Sequence, residues 1–228
     1  MHFTTITLAT LLASASAGVV PAVPAIRHDP ITKRSEATFD PNGNIKLTFS
    51  RETVKIGSLT TEAIISAIYP ICHESGQCET NDIDLKGMLI TPSRVDAIKV
   101  TLGPHGAYPT WIRNGLVDAL GAAARTVAKC EKGTHVDKCF GTTAMAYCPQ
   151  RKIEYQNCEV PKFWGINYQS SKNPDGAPPN LSLDVSMEKE GDGGLCEDVM
   201  SGLGAVAGAV HGVGGGVFTL LSFACESK

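Results

Sequence analysis

The stretch GLGAVAGAVHGVGGGVFTLLSFAC, residues 202–225, decides how this chain folds. Apart from His211 it holds no ionisable group before Cys225. Gly204, Gly208, Gly212 and Gly216 recur every fourth residue, so on a helix they share one face. As one helix the stretch has about the 20 residues that cross hydrocarbon, with a glycine spacing that suits close helix packing in membranes. Three features oppose that reading. Gly214-Gly215-Gly216 would cost a helix about 1 kcal/mol each relative to Ala, so the helix breaks there. The side chains before the break are mostly Gly, Ala and Val, a weak drive for insertion beside Leu, Ile and Phe. Cys196 and Cys225 flank the stretch, and one continuous helix would set them about 43 Å apart at about 1.5 Å per residue. A helix that turns back at GVGGG into a strand VFTLLSFAC answers all three and brings Cys225 towards the disulfide core. The glycines are then expected to let the helix pack tightly on its sheet or on a neighbouring helix. The charged tail Glu226-Ser227-Lys228 argues against a GPI signal, and no stable transmembrane anchor is expected.

The other elements follow from periodicity. NIKLTFS (44–50) alternates as a strand. Ser58 is the expected cap of a helix with Thr61-Glu62 in its first turn and apolar residues at Ala63, Ile64, Ala67 and Ile68, which Pro70 ends. DIDLKGMLI (82–90) and VDAIKVTLG (95–103) read as a strand pair around TPSR. GPHGAYP is expected to be a turn. Residues 111–130 place Ile112, Leu116, Leu120, Ala123 and Val127 on one helical stripe. The segment 130–168 is cysteine-rich and is expected to be irregular. LSLDVSME (181–188) alternates as a strand, and LCEDVMSGLGAVAGAVHG (195–212) begins acidic and turns apolar, as a helix does. The order predicts an α+β fold: a disulfide-stabilised sandwich of antiparallel or mixed sheet with about three helices.

The N-terminus reads MHFTTITLATLLASASA, a short apolar and hydroxylated run ending in the small-x-small pattern Ala15-Ser16-Ala17. This predicts a signal peptide over 1–17, cleaved after Ala17. A Pro-containing leader follows and closes at the dibasic pair Lys33-Arg34, which suits a kexin-type protease. A propeptide over 18–34 and a mature domain over 35–228 are therefore expected. Hydrophobic residues make up 43% and charged residues 19%, outside the range of disordered chains. The net charge of −3 becomes more negative when the leader is removed, so nucleic acid is not an expected partner.

All eight cysteines lie beyond Arg34: Cys72, Cys78, Cys130, Cys139, Cys148, Cys158, Cys196 and Cys225. An even number in a secreted chain predicts four disulfides, each contributing about 2–4 kcal/mol. No CxxC pair occurs, which argues against a thiolate zinc site. Spacing alone does not choose the partners. Cys148 and Cys158 flank a segment suited to a clipped hairpin or loop, and Cys72 and Cys78 bracket the polar turn CHESGQC. Asn180-Leu181-Ser182 is a glycosylation sequon after a Pro-rich loop, so Asn180 is expected to be exposed and glycan-bearing.

The precursor's layout of signal, dibasic leader and cysteine-rich domain with a Gly/Ala-rich helix resembles that of fungal small secreted cysteine-rich proteins. That group contains virulence effectors and killer-toxin-like proteins. The resemblance implies extracellular action on a host or competitor protein, glycan or membrane component, and it carries over no site residue.

Catalytic signatures are sparse. There is no GxSxG and no P-loop, and Gly202 to Gly208 spells GxGxxxG, one residue longer than a dinucleotide fingerprint. No cofactor and no metal is expected. His105, between glycines, is the one candidate for proton transfer, as in a secreted hydrolase or nuclease with a carboxylate still to be placed. His135 is expected in a solvated loop. Trp111 and Trp164 are expected in the core, with stacking on a sugar as the alternative. The leading expectation is a binding protein that acts through the loops HESGQCETND, GPHGAYP and SSKNPDGAPPN, with a hydrolase or a membrane-active toxin using 202–224 as alternatives.

Overall fold

The computed structural model describes residues 35–136, 151–169, 177–187, 191 and 193–227. Its larger sheet has seven strands: β1 (Ser35–Thr38), β2 (Ile45–Ser50), β4 (Ile83–Ile90), β5 (Val95–Ala107), β8 (Phe163–Tyr168), β9 (Asn180–Ser186) and β10 (Leu220–Glu226). They lie in the order β1-β10-β2-β8-β9-β5-β4. Every neighbour pair is antiparallel except β10 with β2. The smaller sheet is β3 (Thr53–Gly57), β7 (Lys152–Pro161) and β6 (Lys129–Val136), in the order β3-β7-β6.

Alternation along the strands makes the larger sheet two-faced. Ile45, Leu47 and Phe49 of β2, Trp164 and Ile166 of β8, and Leu181, Leu183 and Val185 of β9 are buried on one side. Phe49 stacks on Phe223 of β10 at 5.5 Å between ring centroids. Helices cover this face. α1 (Thr61–Ile68) buries Ile64, Ile65 and Ile68, and its first turn is capped by Thr60, whose Oγ1 accepts from Ala63 N at 3.3 Å, and not by Ser58, whose Oγ accepts from Met88 N. α2 (Arg113–Val127) buries the expected stripe of Leu116, Leu120, Ala123 and Val127. Gly121 allows α1 to approach, because a Cβ there would lie 2.9 Å from Ile65 Cγ1.

The 202–225 stretch is a helix, a bend and a returning strand. α4 (Leu203–Gly212) leads into a 3-10 turn, Val213–Gly216, where Gly214 and Gly215 have φ of 62° and 67°. Three successive glycines with positive φ reverse the chain, a conformation that costs other residues strain. β10 then enters the sheet between β1 and β2, and Cys225 bonds Cys196 in α3 (Leu195–Met200). The single helix expected over 195–212 is two pieces, broken at Ser201-Gly202, so the described residues contain four α-helices. No helix among them is long and apolar enough to cross a membrane.

Two other expectations change. The segment 130–168 is not irregular where it is described, since β6, β7 and β8 fall in it. Cys158 is bonded to Cys130, directly opposite it in the β6/β7 ladder, and does not clip a loop with Cys148. Cys72–Cys78 is the third bridge. Cys139 and Cys148 lie outside the described residues, as do Ala17, Lys33 and Arg34.

The glycines of α4 do not mediate close packing. The helix lies on α2 and β10 through Val206, Ala207 and Val210, while a Cβ added at Gly204, Gly208 or Gly212 would meet nothing within 4 Å. Close approach is made instead at Gly115 of α2, where a Cβ would lie 2.4 Å from Phe218 Cζ. Gly204→Ala and Gly208→Ala should therefore each stabilise the protein by up to about 1 kcal/mol. Gly115→Ala should cost about 1–3 kcal/mol by displacing a packed ring. Denaturant melts of the three variants would show this opposition in sign.

Candidate functional site

Two of the three loops expected to carry recognition meet at one end of the larger sheet. Residues 72–78 form a small ring closed by the Cys72–Cys78 bridge. The ring is stitched to the end of β5: Gln77 pairs with Ala107, Tyr108 N donates to Gly76 O at 2.9 Å, and Cys78 N donates to Gly106 O at 3.4 Å. Thr110 Oγ1 adds a bond to Glu74 O at 2.6 Å, and the Tyr108 hydroxyl one to His73 O at 3.2 Å. Gly76 is required at the seam, with φ of 111° and a position where a Cβ would stand 2.7 Å from Tyr108 O. The described flank of the third loop, 177–179, leads into Asn180, which pairs with Ala107. Residues 170–176 of that loop lie outside the described residues.

Arg113 fastens this ring to the helices. Its guanidinium is buried, sits over the Tyr69 ring at 4.7 Å, and donates to Cys72 O at 2.7 Å and to Tyr69 O. It thereby satisfies the carbonyl of Tyr69, which caps the C-terminus of α1, and that of Cys72 in the ring. The Tyr69 hydroxyl donates to Asp118 of α2. Burial, reinforced by that carboxylate, pushes the Tyr69 phenol up to about 12.

Beside the ring stands Trp111. It was expected in the core, yet it is 69% exposed, whereas Trp164 is fully buried with Nε1 donating to Pro161 O at 2.8 Å. Trp111 sits in the 3-10 turn Thr110–Ile112, which points Ile112 inward and leaves the indole outside. Tyr168 meets it edge-on at 5.9 Å and meets Phe218 edge-on at 6.2 Å, so a row of rings runs from the core to the surface. Val217, 57% exposed, lies next to Phe218. Sequence reasoning missed this, because a Trp beside the start of a helical stripe gives no sign of which way its turn faces.

The other face of the larger sheet is polar. His105 belongs to β5 and not to a turn, because β5 continues through GPHGA to Ala107. Its Nε2 lies 3.9 Å from Asp184 Oδ2 on β9, with the imidazole side chain 55% exposed. Asp82 lies close to the same spot, since a Cβ on Gly103 would be 3.2 Å from Asp82 Oδ1 and 3.6 Å from Asp184 Cβ. One strand on, Asp84 accepts from Thr101 Oγ1 at 2.7 Å and from Lys99 Nζ at 3.2 Å, and these bonds hold its carboxyl below the usual range. The structure thus places a carboxylate beside the candidate histidine within an acidic neighbourhood. The strand pattern of LSLDVS put Asp184 on the polar face, but the register that sets it near His105 was not legible.

On the same face a shallow depression of about 270 Å³ lies over Gly165, lined by Thr48, Phe163, Asn167, Asn180, Ser182 and Glu226 among others. Asn180, expected to be exposed, is half-buried there. Of the other histidines, His135 is buried in β6 with Nδ1 2.7 Å from Thr91 O, in place of the solvated loop expected, and His73 pairs with Glu79 at 2.8 Å. Among the described residues no group of three or more His, Cys, Asp or Glu is placed to hold a metal ion.

No protein-family model, no curated protein and no solved structure matches this chain.

The Tyr69 network has a pH signature. A phenol raised in the fold favours its neutral form, so its contribution is complete below about pH 10, where unfolded tyrosine ionises. It is lost as pH rises towards about 12. An absorbance titration should show one phenol ionising near that value, and Asp118→Asn should lower it.

Proposed function

We propose that this protein is secreted, loses its signal after Ala17 and its leader after Arg34, and acts outside the cell by binding. In this reading it is an effector or toxin-like protein that engages a host or competitor component. The observation that carries the proposal is Trp111: a large, stiff aromatic side chain left exposed beside a disulfide-closed ring that Arg113 anchors to the core. Exposed aromatics on rigid supports bury much area at little entropic cost, and they are frequent anchors of protein interfaces. The three described bridges suit an oxidising compartment.

A second reading rests on the His105–Asp184 pair, which has the composition of a general acid–base couple. Asp82 beside Asp184 would repel a phosphodiester, while the charge of Asp84 is offset by Lys99, so a neutral substrate fits this reading better than RNA. It supports a hydrolase of glycans or esters and not a nuclease.

One set of experiments separates the two. Purified protein over 35–228 should alter host tissue or competing microbes. Trp111→Ala should weaken that effect roughly thirtyfold, equivalent to about 2 kcal/mol at a binding anchor, with melting unchanged. His105→Ala should leave it intact. An active Trp111→Ala protein, or a wild type inert on both targets, would overturn the binding reading. Turnover on a glycan and ester panel that disappears in His105→Ala would establish the second.

A further inference from the structure

The sequon and the depression on the polar face coincide. Asn180 opens β9 and Ser182 follows two residues later, so both side chains point to the same face, and both line the cavity over Gly165. Asn180 is cross-strand neighbour to Asn167, and Ser182 to Gly165. The Phe163 ring leans over that glycine: a Cβ on Gly165 would lie 3.0 Å from Phe163 Cε1. The hollow therefore has the acceptor amide among its walls, a floor without a side chain, and an aromatic ring.

We propose that this depression is the seat of the first sugar of an N-linked glycan carried by Asn180. The inference rests on the secretory reading above, since the donor is met only in that pathway. The reaction is displacement at C1 of the terminal N-acetylhexosamine of a lipid-pyrophosphate-linked oligosaccharide. The Asn180 Nδ2–C1 bond forms, the C1–O bond to pyrophosphate breaks, and the lipid pyrophosphate leaves with the electron pair. Nδ2 loses one of its two protons to a base of the transferase.

The folded geometry accommodates the product. Nδ2 of Asn180 donates to Pro178 O at 3.1 Å, which uses one hydrogen and leaves the other position for the sugar. The C–H face of a pyranose is apolar and packs on an aromatic ring, here Phe163. Its hydroxyls and acetamido group face Asn167, Ser182 and Thr48, which supply amide and hydroxyl partners. The volume of about 270 Å³ falls below the range of about 300–1,000 Å³ that takes a drug-sized ligand, and suits one sugar ring. A hollow this shallow holds a free sugar weakly, but attachment at its own wall raises the effective concentration to about the millimolar range.

The test is expression of the full chain in a yeast secretory host, with peptide mass analysis and thermal melting. The secreted wild type should carry a glycan on Asn180, absent in Asn180→Gln and retained in Ser182→Thr. Loss of the glycan in Asn180→Gln should lower the melting temperature by a few degrees. In a Phe163→Ala or Phe163→Leu background the same change should have little further effect, because the stacking partner is gone. Phe163→Leu keeps apolar bulk should Phe163→Ala not fold. Protein that reaches the medium without a glycan on Asn180 would overturn the inference alone, and protein retained in the cell would overturn the secretory reading with it. Additive effects of Asn180→Gln and the Phe163 variants would show that the glycan does not sit in the hollow. Partial recovery of the Asn180→Gln melting temperature in millimolar N-acetylglucosamine, absent in the Phe163 variants, would support the seat, because free sugar then fills the hollow that the tethered one leaves.

Discussion

The parallel pairing of β10 with β2, closed by the Cys196–Cys225 bridge, is the constraint on which the rest of the structure depends. β10 is the last strand of the chain, yet it lies inside the larger sheet, with β1 on one side and β2 on the other. Without it β1 has no partner in the sheet and Phe49 loses the ring of Phe223. A parallel pair cannot be joined by a tight turn, and here nearly the whole described chain intervenes. The bridge closes the 29-residue separation from Cys196 to Cys225, worth on the order of 3–4 kcal/mol through the unfolded chain. It also ties α3, and through it α4, to the strand that follows them.

Strands of one sheet with helices on one face leave the other face to polar residues, and that asymmetry creates both surfaces of interest. The chain passes between the two sheets at a corner where Ser50 is fully buried. Its Oγ donates to Glu52 O at 2.7 Å and accepts from Phe163 N at 2.9 Å. Close by, Thr53 Oγ1 donates to buried Glu159 at 2.5 Å, and Gly193 N donates to both groups at 2.9 and 3.2 Å. Gly191 must be glycine to pass, since its Cβ would lie 2.1 Å from Thr53 Oγ1. This clasp leads the chain into α3 and so fixes where the helical layer begins. At the far end of β5 the Cys72–Cys78 ring and Trp111 stand on the same scaffold, held by Arg113.

The glycine-rich helix shows how a pattern can be read correctly for course and wrongly for cause. The triple glycine does reverse the chain, because three positive φ values in succession are open only to glycine without strain. The glycines every fourth residue do share a face, as periodicity requires, but that face looks outward and the helix is held by Val206, Ala207 and Val210. Identical spacing serves an inward or an outward stripe equally well. Which one obtains depends on where the larger apolar side chains fall, and on this helix valine outranks glycine.

By itself the sequence determined the α+β class, the faces of β2, α2 and β9, the disulfide-bonded character, and the break at GVGGG. These depend on period, on backbone freedom at glycine and on thiol number, all properties of short windows. Tertiary structure alone decided that Cys158 pairs with Cys130, that β10 runs parallel beside β2, and that Asp184 comes near His105. It also decided that Asn180 lines a hollow, that Trp111 faces outward, and that the described part of 130–168 is strand and not irregular chain. Each of these depends on which distant strands become neighbours and in what register. That choice is made by the packed core as a whole, and no local stretch encodes it.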